Sequence, residues 1–477
     1  MAAFFIIGEK KTRPGVYYRY ENDGTPPIAG VDDGRCAATI RSNWGPIGQA
    51  VLLEKYEDID KKYGDGGANG TTAVPMEIFK GGAQEVYTVR LGSGGTNGRY
   101  EIKDTAEEAA TVINMTMKYP GSRQFTVTIR PTLDDATVSE LLLLEDTEQL
   151  ERLTFENTGN SVAALMAAYA EAGSDFFTLT KVADSENALA TVTQAQVTAG
   201  TDPVITNGSY SAAFEVLEAY RWNVMAIDTE DTAVQSLMQL FLDRIYGDGK
   251  FVMGVIGQPT TVAFETRKRQ ASAYNSYQIV YVGNGFVDIN GDQYEGYMAA
   301  ARIAGLIAGT PSNESITHTA ITQATDLTEK LTNAQIIQAL KAGMLVFSTS
   351  AADTVWVEQG INTLVLPGQK EDDGWKKIKR AKVRFELFQR LNDTVEGLVG
   401  NINNDPDGRA TVIQVSNGVC NAMVSEKKLL TGAYVEQDPD NSPEGDSAWF
   451  IVHADDIDSL EKLYYAFKFR FAPDDTE

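Results

Sequence analysis

Residues 222–257 read WNVMAIDTEDTAVQSLMQLFLDRIYGDGKFVMGVIG, and their pattern decides the fold. WNVMAID and KFVMGVIG are near-continuous apolar runs, while TAVQSLMQLFLDRIYGDG between them has helical spacing. Strands without polar alternation are buried on both faces, so this unit predicts a parallel sheet covered by helices on either side. The flanks agree. SAAFEVLEAY before it reads as a helix, NAQIIQALKAGMLVFSTS after it as a helix leading into a strand, and TVWVEQGINTL as a further strand. Upstream, the stretch from RCAATIRSNWGPIGQ to AQEVYTVRLGSGG reads as strand, turn, short strand, helix and a strand ending near Leu91, with glycine-rich loops at Gly64–Gly70 and Gly92–Gly98.

Between about 100 and 205 the composition shifts to Thr and Val, with alternating runs such as RQFTVTIRP and DFFTLTKV and one Ala-rich helix, NSVAALMAAYAEAG. In the last part of the chain Phe388, Leu391, Val395, Leu398 and Ile402 recur at spacings of three and four, one face of a helix. A second helix follows the NNDPDG turn. After it come an acidic loop, EQDPDNSPEGDS, the strand AWFIVHAD, a helical turn at DIDSLEKL and a terminal strand. The expected fold class is mixed α/β and multidomain. Its parts are an N-terminal arm (1–20), an α/β core (21–99 with 206–370), a mostly β insertion (100–205), a C-terminal domain (371–460) and a strand arm (461–477).

The 477 residues are 43% hydrophobic and 22% charged, ordinary for folded domains of normal core size. A net charge of -25 argues against nucleic acid or an anionic membrane as partner, since polyanions are repelled. Cys36 and Cys420, far apart, support neither a disulfide framework nor a Cys-based metal cluster. The apolar run in MAAFFIIGEKK is too short and wrongly flanked for a secretory signal, and GYMAAARIAGLIAG, interrupted by Arg302, is shorter than the roughly 20 residues of a membrane span. Neither export signal nor anchor is expected, and synthesis in the cytoplasm is.

Catalytic chemistry is thinly supplied. His318 and His453 stand outside any motif, no G-x-S-x-G or H-E-x-x-H occurs, and GDGKF has Phe251 where a phosphate loop needs Ser or Thr. GSGGTNG has Asn97 in place of the third glycine of a dinucleotide fingerprint. In NNDPDGRATVIQ, Asn403, Asp405, Asp407 and Gly408 match an EF-hand loop, but Gln414 replaces its bidentate acid, so a tight polar turn is the competing reading. No catalytic residue, metal or cofactor is expected. The alternative kept open is a soluble α/β enzyme or calcium-binding module.

Both ends carry short amphipathic strands. Near the N-terminus Val16, Tyr18 and Tyr20 alternate with Tyr17 and Arg19. In KLYYAFKFRFAP, Tyr465, Phe467, Phe469 and Phe471 share one face, with Lys468 on the other. The terminal strand is either an edge of its own domain's sheet or a strand donated to a neighbour. Lys10, Lys11, Arg13 and Arg19 make the N-terminal end basic and the C-terminal end is acidic, which favours pairing between chains. A second anomaly is WKKIKRAKVR, where Lys376, Lys377, Lys379, Arg380, Lys382 and Arg384 form either a solvated charge run or a docking strip for an acidic partner.

Taken together, TRPGVYYRYEN, AARIAGLIAGTPSNESITH and ALKAGMLVFSTSAADTVWVEQGINTL resemble segments of contractile phage tail sheath proteins and the sheaths of phage-tail-like bacteriocins of Gram-positive bacteria. The resemblance implies a structural, non-enzymatic subunit, in hexameric rings stacked as a helical polymer around an inner tail tube protein, with baseplate and tail terminator proteins as further partners. It implies no nucleic acid and no membrane insertion, and a place in a virion tail or tail-like particle released by lysis. It casts Val16 to Tyr20 and Tyr465 to Phe471 as arms completing a sheet in neighbouring subunits. It also makes the C-terminal domain tube-facing, which turns Lys376 to Arg384 into a candidate tube-docking strip.

Overall fold

A computed structural model of the chain describes residues 3–4, 17–18, 34–369 and 371–469. They form two compact units. The larger spans Asp32–Glu386 and takes back the chain from Asp456; the smaller holds Leu387–Asp455 with the two-residue strands Ala3–Phe4 and Tyr17–Tyr18.

The larger unit is built on a seven-stranded sheet in the order Met344–Leu345, Ile279–Val282, Met253–Gly257, Val224–Ala226, Arg35–Ile40, Glu85–Arg90, Ala50–Leu53. All neighbours are parallel except the last, an edge strand that runs antiparallel to Glu85–Arg90. This is the sheet that WNVMAID and KFVMGVIG predict, and both are buried at its centre. On one face Ala37, Met225 and Ile256 meet Phe214, Leu217, Met238 and Leu242 from the helices Asn207–Glu218 and Thr232–Gly247. On the other lies the helix Tyr297–Gly309, buried along nearly its whole length, where the Cys36 thiol reaches the Ala304 carbonyl at 3.6 Å.

That second face explains the Ala- and Gly-rich sequence of the buried helix. It runs against the helix Ala73–Gly81 so closely that a Cβ on Gly305 would lie 1.9 Å from the Ile78 carbonyl oxygen, and one on Gly309 2.3 Å from that of Gly82. Only glycine admits such an approach. Arg302, the charge that interrupts the apolar run, is spent in the same contact. Its guanidinium donates to Glu77 Oε2 at 2.5 and 2.9 Å and to the Thr322 carbonyl at 2.8 Å, with Arg302 and Glu77 side chains 3% and 1% exposed.

Residues 97–196 form two antiparallel sheets, one of three strands and one of four, with the helix Ser161–Ala172. Their shared core includes Phe125, Phe155, Leu165 and Phe177, and Trp44 enters it from a loop of the parallel-sheet region.

In the smaller unit the helix Ile378–Glu396 ends, a turn follows, and the helix Pro406–Ser425 leads to the hairpin Tyr434–Gln437 with Phe450–His453. Three expectations differ from the described residues, one in this unit and two in the stretch from Asp456 that belongs to the larger unit. The stripe from Phe388 to Ile402 overshoots: Leu398 and Ile402 lie past the helix end, in a turn that contains Gly400 at φ 77°. DIDSLEKL forms no helical turn, because its acids are held in extended chain by ion pairs described below. No strand is formed by the described part of the stretch Tyr465 to Phe471, which ends at Phe469.

Two substitutions test the helix contact. Gly305→Ala is expected to lower stability by about 2–3 kcal/mol through overpacking, and Glu77→Ala by about 3–5 kcal/mol by leaving Arg302 buried and unpaired. Urea denaturation followed by circular dichroism measures both. Two near-neutral results would show that the helices can part at little cost.

Candidate functional site

From Leu463 to Phe469 the chain is extended, in no ladder with any described residue, and strongly exposed. Tyr465, Phe467 and Phe469 are 75%, 78% and 93% accessible. Their rings follow one another along one side at 6.4 and 6.3 Å between centroids. Lys468, exposed, lies between them in sequence. A row of exposed rings on backbone that pairs with no described residue offers both hydrogen-bonding edge and apolar area. At the other end Tyr17 and Tyr18 pair in parallel with Ala3 and Phe4. Val16, Arg19, Tyr20 and Phe471 lie outside the described residues.

The basic strip is not a free cationic face. Lys376 pairs with Asp373 at 2.8 Å, and Lys377 with Asp458 and Glu461 at 2.8 and 3.2 Å. Arg380 and Arg384 both bind the Asp456 carboxylate, and Arg384 also binds Asp372. Lys382 Nζ donates to the carbonyls of Ile307 and Thr310, at the end of the buried helix. Lys379 is buried, and burial pushes its ammonium below the usual lysine range. All six residues expected to dock a tube are thus buried or engaged by groups of the larger unit itself, Lys376 only by the exposed Asp373. Asp456, Asp458 and Glu461 are the residues that sequence reading missed. They fell inside a supposed helical turn, and the sequence shows only a run of acids and a distant run of bases, not that the two face each other.

Burial alone would raise the Asp456 carboxyl, but hydrogen bonds and charge from Arg380 and Arg384 outweigh it and hold the group below the ordinary aspartate range. A depressed folded-state pKa means that this cluster stabilises fully above the unfolded aspartate pKa of about 3.9 and loses its effect in stronger acid.

In the smaller unit, the hairpin has two strands among the described residues. Tyr434 and His453 stack across it at 4.5 Å, and His453 Nε2 lies 2.9 Å from Glu436. Beside it a groove of about 370 Å³ is lined by Val395, Leu398, Val399, Ile402, Val412 and Phe450. The EF-hand-like turn is a helix start. Asp405 Oδ1 accepts the Gly408 N–H at 2.7 Å as N-cap, Pro406 opens the helix, and Asn404 donates to the Gly445 and Ser447 carbonyls.

Elsewhere, places suited to chemistry are filled by the chain. In an open α/β sheet ligands sit where strand order reverses, here between Arg35–Ile40 and Val224–Ala226. There Asp228 accepts from Thr39, Arg41 and Thr71 at 2.8, 2.9 and 2.8 Å. Lys250, of the GDGKF near-miss, donates to the Glu218 and Tyr220 carbonyls and closes the end of the helix Asn207–Glu218. His318 stacks on Trp356 at 4.1 Å.

Residues 203–363, which contain the centre of the parallel sheet and the buried helix, match the family model described as phage tail sheath protein central domain. A sheath tail protein from Desulfitobacterium hafniense superposes with a TM-score of 0.70 at 23% identity, over 93% of this chain and 100% of that one. The chain has the contractile tail sheath fold. A second sheath tail protein, from Listeria innocua, gives 0.67 at 18% identity over 90% and 99%. The helical sheath of the anti-feeding prophage in its contracted state gives 0.56 at 10% identity over 96% and 99%. In sequence the chain is 23% identical to the phage-like element PBSX protein XkdK of Bacillus subtilis, over 97% of this chain and 98% of that protein. At these identities the likeness is one of fold. In this sheath fold, the turn after the Ala- and Gly-rich helix places Thr317 so that its hydroxyl donates to Glu461 at 3.2 Å, at the root of the tail. Among the described residues no helix is long and apolar enough to cross a membrane.

Asp405→Ala should cost about 1 kcal/mol as a lost cap, and millimolar calcium should leave the melting temperature of the unaltered protein in place. A calcium-dependent rise would restore the ion-binding reading of the turn.

Proposed function

We propose that this protein is the sheath subunit of a contractile tail or tail-like particle, polymerising as stacked hexameric rings around an inner tube and contracting to drive that tube through a target cell envelope. The observation that carries the reading is the row of Tyr465, Phe467 and Phe469, exposed and in no ladder with a described residue, on a chain with the sheath fold. Donated to the two-stranded hairpin of a neighbour, this tail gains backbone hydrogen bonds on an open edge, and its rings can enter the apolar groove beside Phe450. Val16 to Tyr20 is the second arm of the same mesh. Head-to-tail contacts that do not close on themselves build helical polymers.

Contraction on this reading needs no nucleotide. A gain of a few kcal/mol per subunit in new inter-subunit contact, summed over on the order of a hundred subunits, reaches hundreds of kcal/mol. The extended form is a kinetically trapped state and the arms keep the mesh connected while the subunit bodies move. The unit Leu387–Asp455 faces the tube, and of the basic strip only Lys376, whose ion pair is with the exposed Asp373, is left to touch it. Baseplate and terminator proteins cap the polymer, and the particle leaves the producing bacterium by lysis.

Electron microscopy of the purified protein should show rings or tubules. Phe467→Ser with Phe469→Ser should leave the fold intact by circular dichroism and abolish them. Polymers that persist at unchanged protein concentration would remove the tail from the assembly.

A further inference from the structure

The acidic stretch at the root of the tail is held in a manner that the aromatic row beyond it is not. Asp456, its side chain 6% exposed, sits between the guanidinium groups of Arg380 and Arg384. Asp458 takes the Lys377 ammonium at 2.8 Å. Glu461, 9% exposed, accepts from Thr317 at 3.2 Å and Gln359 at 2.9 Å and pairs with Lys377 at 3.2 Å. One residue later the constraint ends: no side-chain hydrogen bond or ion pair to a described residue is found from Lys462 to Phe469, and every side chain there is exposed. The anchoring groups come from three separate places, the helix start at 377–384, the turn at Thr317 and the loop at Gln359. All belong to the larger unit, so the segment is fastened to it, and from Lys462 the chain is exposed and held by no described residue.

We propose that Asp456–Glu461 is a clamped strap that sets the length of free chain between the protein body and the aromatic row, and that opening it pays out reserve chain. This rests on the reading that the tail pairs with a second copy. Release moves the start of the free chain back by some six residues, roughly 20 Å of extended backbone. A tether of matched length gives the highest effective concentration of tail at a neighbour's edge, and a longer one lowers it. The same reserve lets a link survive a displacement of the two bodies that the clamped length cannot span. The strap is ionic and partly hydrated at Asp458, 41% exposed, so salt weakens it whereas a buried apolar anchor would hold.

The strap is tested first on dilute, unassembled protein with a glutamate-specific protease. Cleavage after Glu461 should be slow, and Arg380→Gln with Arg384→Gln should speed it by roughly tenfold or more, although neither arginine touches Glu461. Asp456→Asn, which leaves the helix unaltered, should do the same. Trypsin cleavage after Lys468 serves as the reference and should not change. If Glu461 is cut at the same rate in all forms, the strap does not act as a unit and the proposal fails. In assembly, strap-released protein should need several-fold higher concentration to form polymers, and a six-residue Gly-Ser insertion after Lys462 in clamped protein should reproduce that shift. A threshold unmoved by both would overturn the length-setting role. Polymers formed by protein lacking residues 462–477 would instead overturn the tail-donation reading, whatever the protease shows.

Discussion

The structure depends on two helices approaching until backbone touches backbone. Gly305 and Gly309 on the buried helix, against Ile78 and Gly82, leave no room for a Cβ, and that closeness lets Arg302 reach Glu77 with both side chains nearly dry. Such a pair adds little net stability over an apolar equivalent, because desolvating both charges costs about what their attraction returns. What it does is penalise every other register of the two helices, since any slip leaves a buried charge unpaired. The helix that it fixes lies on four of the parallel strands, so the geometry of the sheet follows from it.

The same helix reaches the root of the tail through its end. Its last carbonyls accept the Lys382 ammonium, and the turn after it presents Thr317 to Glu461. The base-rich helix start is therefore braced between the core and the root of the tail, with Lys382 facing inward and Lys377, Arg380 and Arg384 facing the strap. A strip that sequence composition offers as a docking site for another protein is, in three dimensions, the seat of the chain's own acidic segment.

How much could be read beforehand follows from how local each signal is. The parallel sheet was legible because a doubly covered strand needs a run of apolar residues, and Val224–Ala226 and Met253–Gly257 show it without tertiary context. The end of the helix at Glu396 was not, because Leu398 and Ile402 keep helical spacing through a turn that buries them only partly; spacing reports a face, and Gly397 and Gly400 report the stop. The clamp was invisible for a different reason. Arg380 and Asp456 are 76 positions apart, and one-dimensional charge counting sees a basic run and an acidic run but not that they are opposed. Asp228, closing the crest of the sheet with Arg41 and Thr71, escaped in the same way.

On the proposed assembly, a chain that links to its neighbours faces a conflict between stickiness and solubility. An exposed segment with three rings on one side is an aggregation hazard, and the hazard grows with the volume that the segment can sweep. Tethering answers part of this. With the root pinned at Glu461 the rings can be presented only within reach of a short free segment, where a correctly placed neighbour offers an edge and a randomly placed one does not. The charges that do the pinning are of opposite sign and nearly equal in number, so the anchor adds no long-range field of its own to a chain already carrying a net -25. Encounters between copies are then slowed by overall repulsion and selected by geometry at short range, which favours ordered growth over indiscriminate association.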